Sequence, residues 1–121
     1  MNSRSFGADG EERAAEFLRT KGYQILKRNF RSKRGEVDII CEAAETVVYV
    51  EVKRWTFNTA ASLEYSIGRT KQRRIADAAR LFLLQEPAFR GWRQRFDIVF
   101  LYGVDGRIEH IEGAFESPWP G

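Results

Sequence analysis

Val47-Val48-Tyr49-Val50-Glu51-Val52-Lys53 reads as a β-strand of branched and aromatic residues, entered through Glu45 and Thr46. Side chains alternate between the two faces of a strand. One face of this stretch carries Val48, Val50 and Val52, an apolar core face. The other carries Tyr49, Glu51 and Lys53, so a carboxylate and an ammonium point the same way at the end of an apolar run. Desolvating ions is costly, and stability alone does not ask for charges there. The stretch is therefore both the expected centre of a sheet and the first candidate for chemistry.

Working upstream, Glu36 to Glu42 reads as the preceding strand, with Val37, Ile39 and Cys41 on one face and Glu36, Asp38 and Ile40 on the other. Ala43-Ala44-Glu45 is short enough for a hairpin, which makes the two strands antiparallel neighbours. Closure near Ala44 brings Asp38 beside Glu51 or Lys53 on a shared face. Tyr23 to Arg31 is a further strand, joined to the next by the basic turn Ser32-Lys33-Arg34-Gly35.

Gly7 to Gly22 reads as a helix that starts at Asp9 or Gly10 and ends on a glycine cap. Glu11 precedes Ala14, Ala15 and Leu18 by three, four and seven positions, so it shares their buried side, where a lone carboxylate needs a partner. Glu12, Glu16 and Arg19 take the wet side. Downstream, Trp55 to Gly68 is a loop, with a helical turn around Ala60 to Tyr65. Arg69 to Glu86 is a second helix, capped by Gly68 and stopped by Pro87, with Ile75, Ala78, Ala79 and Phe82 as its buried stripe and Gln72 one turn before it. Arg69, Lys71, Arg73 and Arg74 crowd its first turns. Cations there oppose the helix dipole, so attraction to a polyanion accounts for them better than helix stability does. Arg95 to Tyr102 and Gly106 to Gly113 form a last hairpin, and Ala114 to Gly121, with Trp119, an irregular arm.

The 121 residues make one domain, 1–121, large enough for a core. A net charge of +3 and a pI near 9.2 are mildly basic. The lone Cys41 excludes an internal disulfide and a cysteine zinc site, and the lone His110 argues against a histidine-rich metal site or a Ser-His-Asp triad. Any metal would take oxygen ligands, which points to magnesium, manganese or calcium. No stretch suits a membrane span, and the first residues lack the apolar core of a signal peptide. The expectation is a cytoplasmic protein with no membrane partner.

These pieces converge: Glu11 from a helix, Asp38 with Glu36 from one strand, Glu51-Val52-Lys53 from its neighbour, and Gln72 from the second helix. Two carboxylates about 5 Å apart repel by roughly 3 kcal/mol at an effective dielectric near 20. Lys53 supplies one compensating charge and a divalent cation two more, an arrangement suited to phosphate-ester hydrolysis. The carbonyl of Val52 is a further candidate ligand.

The order Gly7-x-x-Gly10-Glu11, Gly22-Tyr23, Arg28-Asn29-Phe30-Arg31, Gly35-Glu36-Val37-Asp38-Ile39-Ile40 and Val50-Glu51-Val52-Lys53-Arg54 resembles the YraN-like family of bacterial predicted endonucleases. Lys71-Gln72-x-x-Ile75, Arg95-Phe96-Asp97 and Ile108-x-His110-Ile111 continue the match over nearly the whole chain. Within it, Asp38 and Glu51-x-Lys53 look like the PD-(D/E)XK nuclease signature, with Val37 where the loose proline would stand. The family is similar to archaeal Holliday junction resolvases. The resemblance implies an α/β, restriction-endonuclease-like αβββαβ core, a mixed central sheet flanked by helices. It implies a magnesium- or manganese-dependent endonuclease acting on nucleic acid, DNA before RNA, with branched or otherwise structured DNA as its target. It makes Asp38 and Glu51 metal ligands, Lys53 the catalytic lysine and Glu11 an auxiliary acid.

Plainer readings stand beside these. Glu51 and Lys53 alone would be a surface ion pair, Glu36 would solvate its strand, and Gln72 would cap an apolar stripe. Lys33, Arg34, Arg54, Arg69, Lys71, Arg73 and Arg74 together favour nucleic-acid binding over ordinary solvation. His110 is expected on a strand surface, Cys41 as a packed thiol, and Asp97 bonded to backbone or an arginine. The rival function is a DNA-binding module that keeps the nuclease fold without turnover. A third reading is an assembly protein that pairs as a homodimer, through hairpin edges and the loop residues Trp55 and Phe57.

Overall fold

The computed structural model describes residues 3–55, 67–103 and 106–118. The helical turn expected around Ala60 to Tyr65, and Phe57 and Trp119, lie outside them, as does the side chain of Trp55. The elements run α1 (Ser3–Thr20), β1 (Gln24–Arg31), β2 (Glu36–Ala43), β3 (Thr46–Trp55), α2 (Arg69–Gln85), a short 3-10 turn (Pro87–Phe89), β4 (Arg93–Tyr102) and β5 (Ile108–Phe115). This is the expected αβββαβ order with one strand added.

The five strands form a single mixed sheet in chain order. Neighbours are antiparallel except β3 and β4, which run parallel from Thr46↔Arg93 to Trp55↔Tyr102. A parallel pair needs a crossover, and α2 lies within it. Helices cover both faces. Ala14, Ala15 and Leu18 of α1 pack on Ile39, Cys41, Val48, Val50, Val99 and Leu101. Ile75, Ala76, Ala78, Ala79 and Phe82 of α2 pack on Val37, Ile40, Val47, Tyr49, Phe96, Ile98 and Phe100. From Val47 to Glu51, β3 is buried on both sides because its two faces serve two cores, which explains its near-continuous hydrophobic run. Among the described residues, no helix is long and apolar enough to cross a membrane.

Three local readings are corrected. The first helix begins at Ser3, so Glu11 and Glu12 sit in its middle and the helix N-terminus gives no reason for them. The strict alternation of β2 fails at Asp38: Ile39 and Cys41 face α1, but Val37 joins Ile40 on the α2 side. Opposite this break, Asn29 of β1 has φ 51°, between the paired positions Arg28↔Ile39 and Phe30↔Val37. An irregular pair of strands no longer obeys a period of two. Finally, β5 continues to Phe115, whose ring stacks on Phe96 at 4.8 Å, so the arm expected from Ala114 begins as strand.

The β2–β3 hairpin turns through Ala44 and Glu45, at φ 49° and 56°, flanked by the pair Ala43↔Thr46. Two positive φ values match the right-handed strand twist, although neither residue is the usual asparagine or glycine. This fixes the register. Ile39 pairs with Val50, and one step further Asp38 comes level with Glu51.

Candidate functional site

β2 and β3 part company at that step. Their pairing stops at Ile39↔Val50, while β3 continues for five more residues against β4. The fork leaves the Val52 amide without a strand partner, and Oδ2 of Asp38 accepts its hydrogen bond at 2.8 Å. The N–H and C=O of one strand residue point to the same side. The Val52 carbonyl therefore faces the same fork as its amide. Glu51 stands beside Asp38, within side-chain hydrogen-bonding reach, and is 6% exposed. Burial, then the Glu51 charge, with a smaller contribution from Glu11, pushes the Asp38 carboxyl up to about 8, against the pull of the Val52 N–H.

Glu11 does look inward, as the spacing predicts. Its Oε1 is buried and has no hydrogen-bond partner among the described residues. Lys53 follows Glu51 by two along β3, is partly buried, and makes no ion pair among the described residues. Lys71 does reach the acids: its Nζ lies 2.5 Å from Oε2 of Glu51. Burial works against that ammonium, but the Glu51 hydrogen bond and the charges of Glu51, Asp38 and Glu36 hold it above its ordinary value. Lys71 thus moves from the expected surface patch into the acidic notch. A signal was present, since Lys71 precedes Ile75 by four and Ala78 by seven, the spacing of the buried stripe.

The remaining expected residues divide. Glu36 is exposed and pairs with Arg31 at 3.1 Å, so it solvates the strand start. The Gln72 amide donates to the Ile67 carbonyl at 3.1 Å, tying the entry of α2. Arg54 leans to the other face, where a Cβ on Gly10 would stand 3.2 Å from its Nη1. Arg69 is exposed. Lys33, Arg34, Arg73 and Arg74 do assemble, lining an open groove with Thr70 and Asp77. Gly35 makes the groove: a Cβ there would lie 2.3 Å from the Arg74 carbonyl oxygen, so only glycine lets the β1–β2 turn rest on the backbone of α2. Cys41 is the packed thiol expected, pushed up to about 12 by burial.

His110 is not a surface residue. Its side chain is 2% exposed, its Nε2 lies 2.7 Å from Oδ2 of Asp97, and its Nδ1 lies 2.8 Å from the Lys21 ammonium. Asp97 also accepts from Arg95 Nε and Nη2, each at 2.9 Å, and from the Gly113 amide at 3.0 Å. Burial alone would raise its carboxyl; the bonds from His110, Arg95 and Gly113 outweigh that and hold it below the usual range. This network joins the end of α1 to β4 and β5, away from the fork.

Residues 10–101 match the model of a family described as "Uncharacterised protein family UPF0102". This chain belongs to the UPF0102 family. It is 40% identical over 118 residues to a UPF0102 protein of Desulfosudis oleivorans, covering 97% of this chain and 95% of the relative. It is 43% identical over 110 residues to one of Persephonella marina, covering 91% and 92%. A UPF0102 protein of Caldicellulosiruptor saccharolyticus is 45% identical over 107 residues, covering 84% and 86%. The UPF0102 match spans α1 through β4 and so takes in Glu11, Asp38, Glu51, Lys53 and Lys71 together.

Proposed function

We propose that this UPF0102 protein hydrolyses phosphodiester bonds of nucleic acid with a magnesium or manganese ion, and that branched, Holliday-junction-like DNA is its substrate. One observation carries the reading. At the fork between β2 and β3, the carboxyls of Asp38 and Glu51 stand side by side, and a third, Glu11, has a buried oxygen with no hydrogen-bond partner among the described residues. Packing gives no return for such a cluster, because buried like charges repel and lose hydration.

The donors fit a hard dication, being oxygen throughout. Among the described residues no three acidic, histidine or cysteine side chains stand together as a ready cage. Asp38, Glu51 and the Val52 carbonyl would hold the ion. A bound dication supplies charge neutralisation at the phosphate and acidifies water. The chain's own groups do the rest. The Val52 amide fixes the Asp38 carboxylate, the Lys53 ammonium meets charge developing on the phosphate, and Glu11 adds an acid from the helix side. Lys33, Arg34, Arg73 and Arg74 hold flanking phosphates by charge.

The Lys71–Glu51 ion pair favours a second reading, a DNA-binding module without turnover. Labelled junction, duplex and single-stranded DNA, incubated with magnesium and then manganese, separate the two. An enzyme cuts, and Asp38→Asn and Lys53→Ala, while still folded, lose the cutting by about a hundredfold or more. A binder retards DNA in a salt-dependent way and never cuts. Wild-type cleavage surviving in both variants would sink the assignment. Two copies would suit the two-fold symmetry of a junction, and sedimentation at several concentrations reads whether they form.

A further inference from the structure

At the notch Asp38 and Glu51 stand side by side, Glu11 adds its charge from α1, and Lys71, which is not the lysine of the Glu51-x-Lys53 pair, contacts Glu51. Lys71 is the third residue of α2, where an ammonium opposes the helix dipole, so Glu51 rather than the helix keeps it in place. The two partners differ in exposure: the Lys71 side chain is 48% exposed and that of Glu51 only 7%. A long flexible stem thus dips its head into the notch from the surface. It can withdraw into water cheaply, whereas Glu51 cannot. A dication seated on Glu51 would repel that ammonium.

We propose that the Lys71 ammonium is a resident counter-ion of this notch, which an entering dication displaces from Glu51 and which then turns towards the phosphate of the substrate. The inference rests on the notch being a metal site and deepens that reading: metal entry and phosphate binding become linked through the first turn of α2. Arg73 and Arg74, which line the basic groove, lie within one turn of Lys71. A freed ammonium would extend the groove's row of cations to the fork.

The test uses the full chain and magnesium alone. The chain has five lysines, so the ammonium resonances are few, and loss of one in Lys71→Met assigns it. Under magnesium titration the Lys71 signal is expected to move to the position of a solvated lysine, half-shifted at the concentration that calorimetry gives for metal binding. Lys71→Met, freed of the competitor, is expected to bind magnesium about tenfold more tightly. Arg69→Met removes the same charge from the same turn and should change affinity by about twofold at most, because exposed charges are screened over roughly 10 Å. If magnesium binds while the Lys71 signal stays put, or if both variants gain affinity equally, Lys71 is only a tie between α2 and β3 and the metal reading stands without it. If neither wild type nor Lys71→Met binds magnesium or manganese, both proposals fall.

Discussion

Asp38 replaces a strand in its bond to Val52. Its carboxylate oxygen takes the amide hydrogen bond, at 2.8 Å, that a paired backbone carbonyl would accept had β2 continued beside β3. The arrangement keeps a carboxyl partly buried beside Glu51, and its protonation becomes part of folding. In the folded chain the Asp38 carboxyl is raised from 3.8 to about 8, by burial first and Glu51 next. A group raised in the folded state contributes its stability in full below the unfolded value and loses it as pH rises through the folded one. Without metal, thermal stability should therefore fall between about pH 4 and pH 8. Asp38→Asn, which keeps an acceptor for Val52 but cannot ionise, should flatten that slope and melt several degrees higher than wild type at pH 8. Asp38→Ala strands the amide and should cost about 1–3 kcal/mol at about pH 4, where wild-type Asp38 is protonated, with the cost shrinking as pH rises towards about 8. Melting curves across the pH range check all three, and an unchanged slope in Asp38→Asn would assign the loss to another group.

The groove variants separate charge from chemistry. Replacing Arg73 or Arg74 by alanine should weaken DNA binding about equally for every sequence and reduce the slope of log affinity against log salt by about one each. Arg54→Ala, on the opposite face, should leave that slope nearer to wild type. Retardation assays over a range of salt read this directly. Equal loss from Arg54 and Arg74 would mean that DNA does not run through the groove.

Much of this was legible before any coordinates. Alternation in Val47 to Lys53 and the short Ala43-Ala44-Glu45 turn set Asp38 beside Glu51, and helical spacing turned Glu11 inward. What alternation could not show was the break at Asp38, because a side chain standing in for a backbone partner leaves no periodic mark. Nor could spacing choose among Arg69, Lys71, Arg73 and Arg74 until the buried stripe of α2 was followed one turn back to Lys71. The Asp97–His110 network was hidden for another reason. Its members come from α1, β4 and β5, and no local pattern announces a buried polar cluster built from distant segments.

Gly35 ties the fold to the groove. A methyl group there would meet the Arg74 carbonyl oxygen at 2.3 Å and its carbonyl carbon at 2.6 Å, and backbone cannot swing aside as a flexible side chain would. Gly35→Ala should cost about 1–3 kcal/mol by forcing the β1–β2 turn away from α2. It should also lower DNA affinity, because Lys33 and Arg34 move off with the turn. Gly91→Ala, where a Cβ meets nothing within 4 Å, is the control for an ordinary glycine replacement. Denaturant melts and retardation assays on both variants check the pair of effects. A Gly35→Ala protein that kept wild-type stability would show that the turn can lift freely.

Asp97 has the opposite pH signature from Asp38. Its side chain is fully buried, and its carboxyl is held below the ordinary 3.8 because bonds from His110, Arg95 and Gly113 outweigh the cost of burial. A depressed group contributes stability above its unfolded value and loses it as pH falls through the folded one. Asp97→Asn keeps the shape but withdraws the charge that faces the Arg95 guanidinium. It should destabilise the chain by about 3 kcal/mol at neutral pH, with little further loss on acidification. The two carboxyls together place the stability maximum of the metal-free protein on the acid side of neutrality, near the ordinary carboxyl value, where folded Asp97 is ionised and folded Asp38 still protonated. Saturating magnesium should stabilise ionised Asp38 and move that maximum towards neutrality, by mass action on the folded state. Calorimetric scans with and without magnesium measure the displacement. A maximum that sits at neutral pH in both conditions would separate Asp38 from both effects.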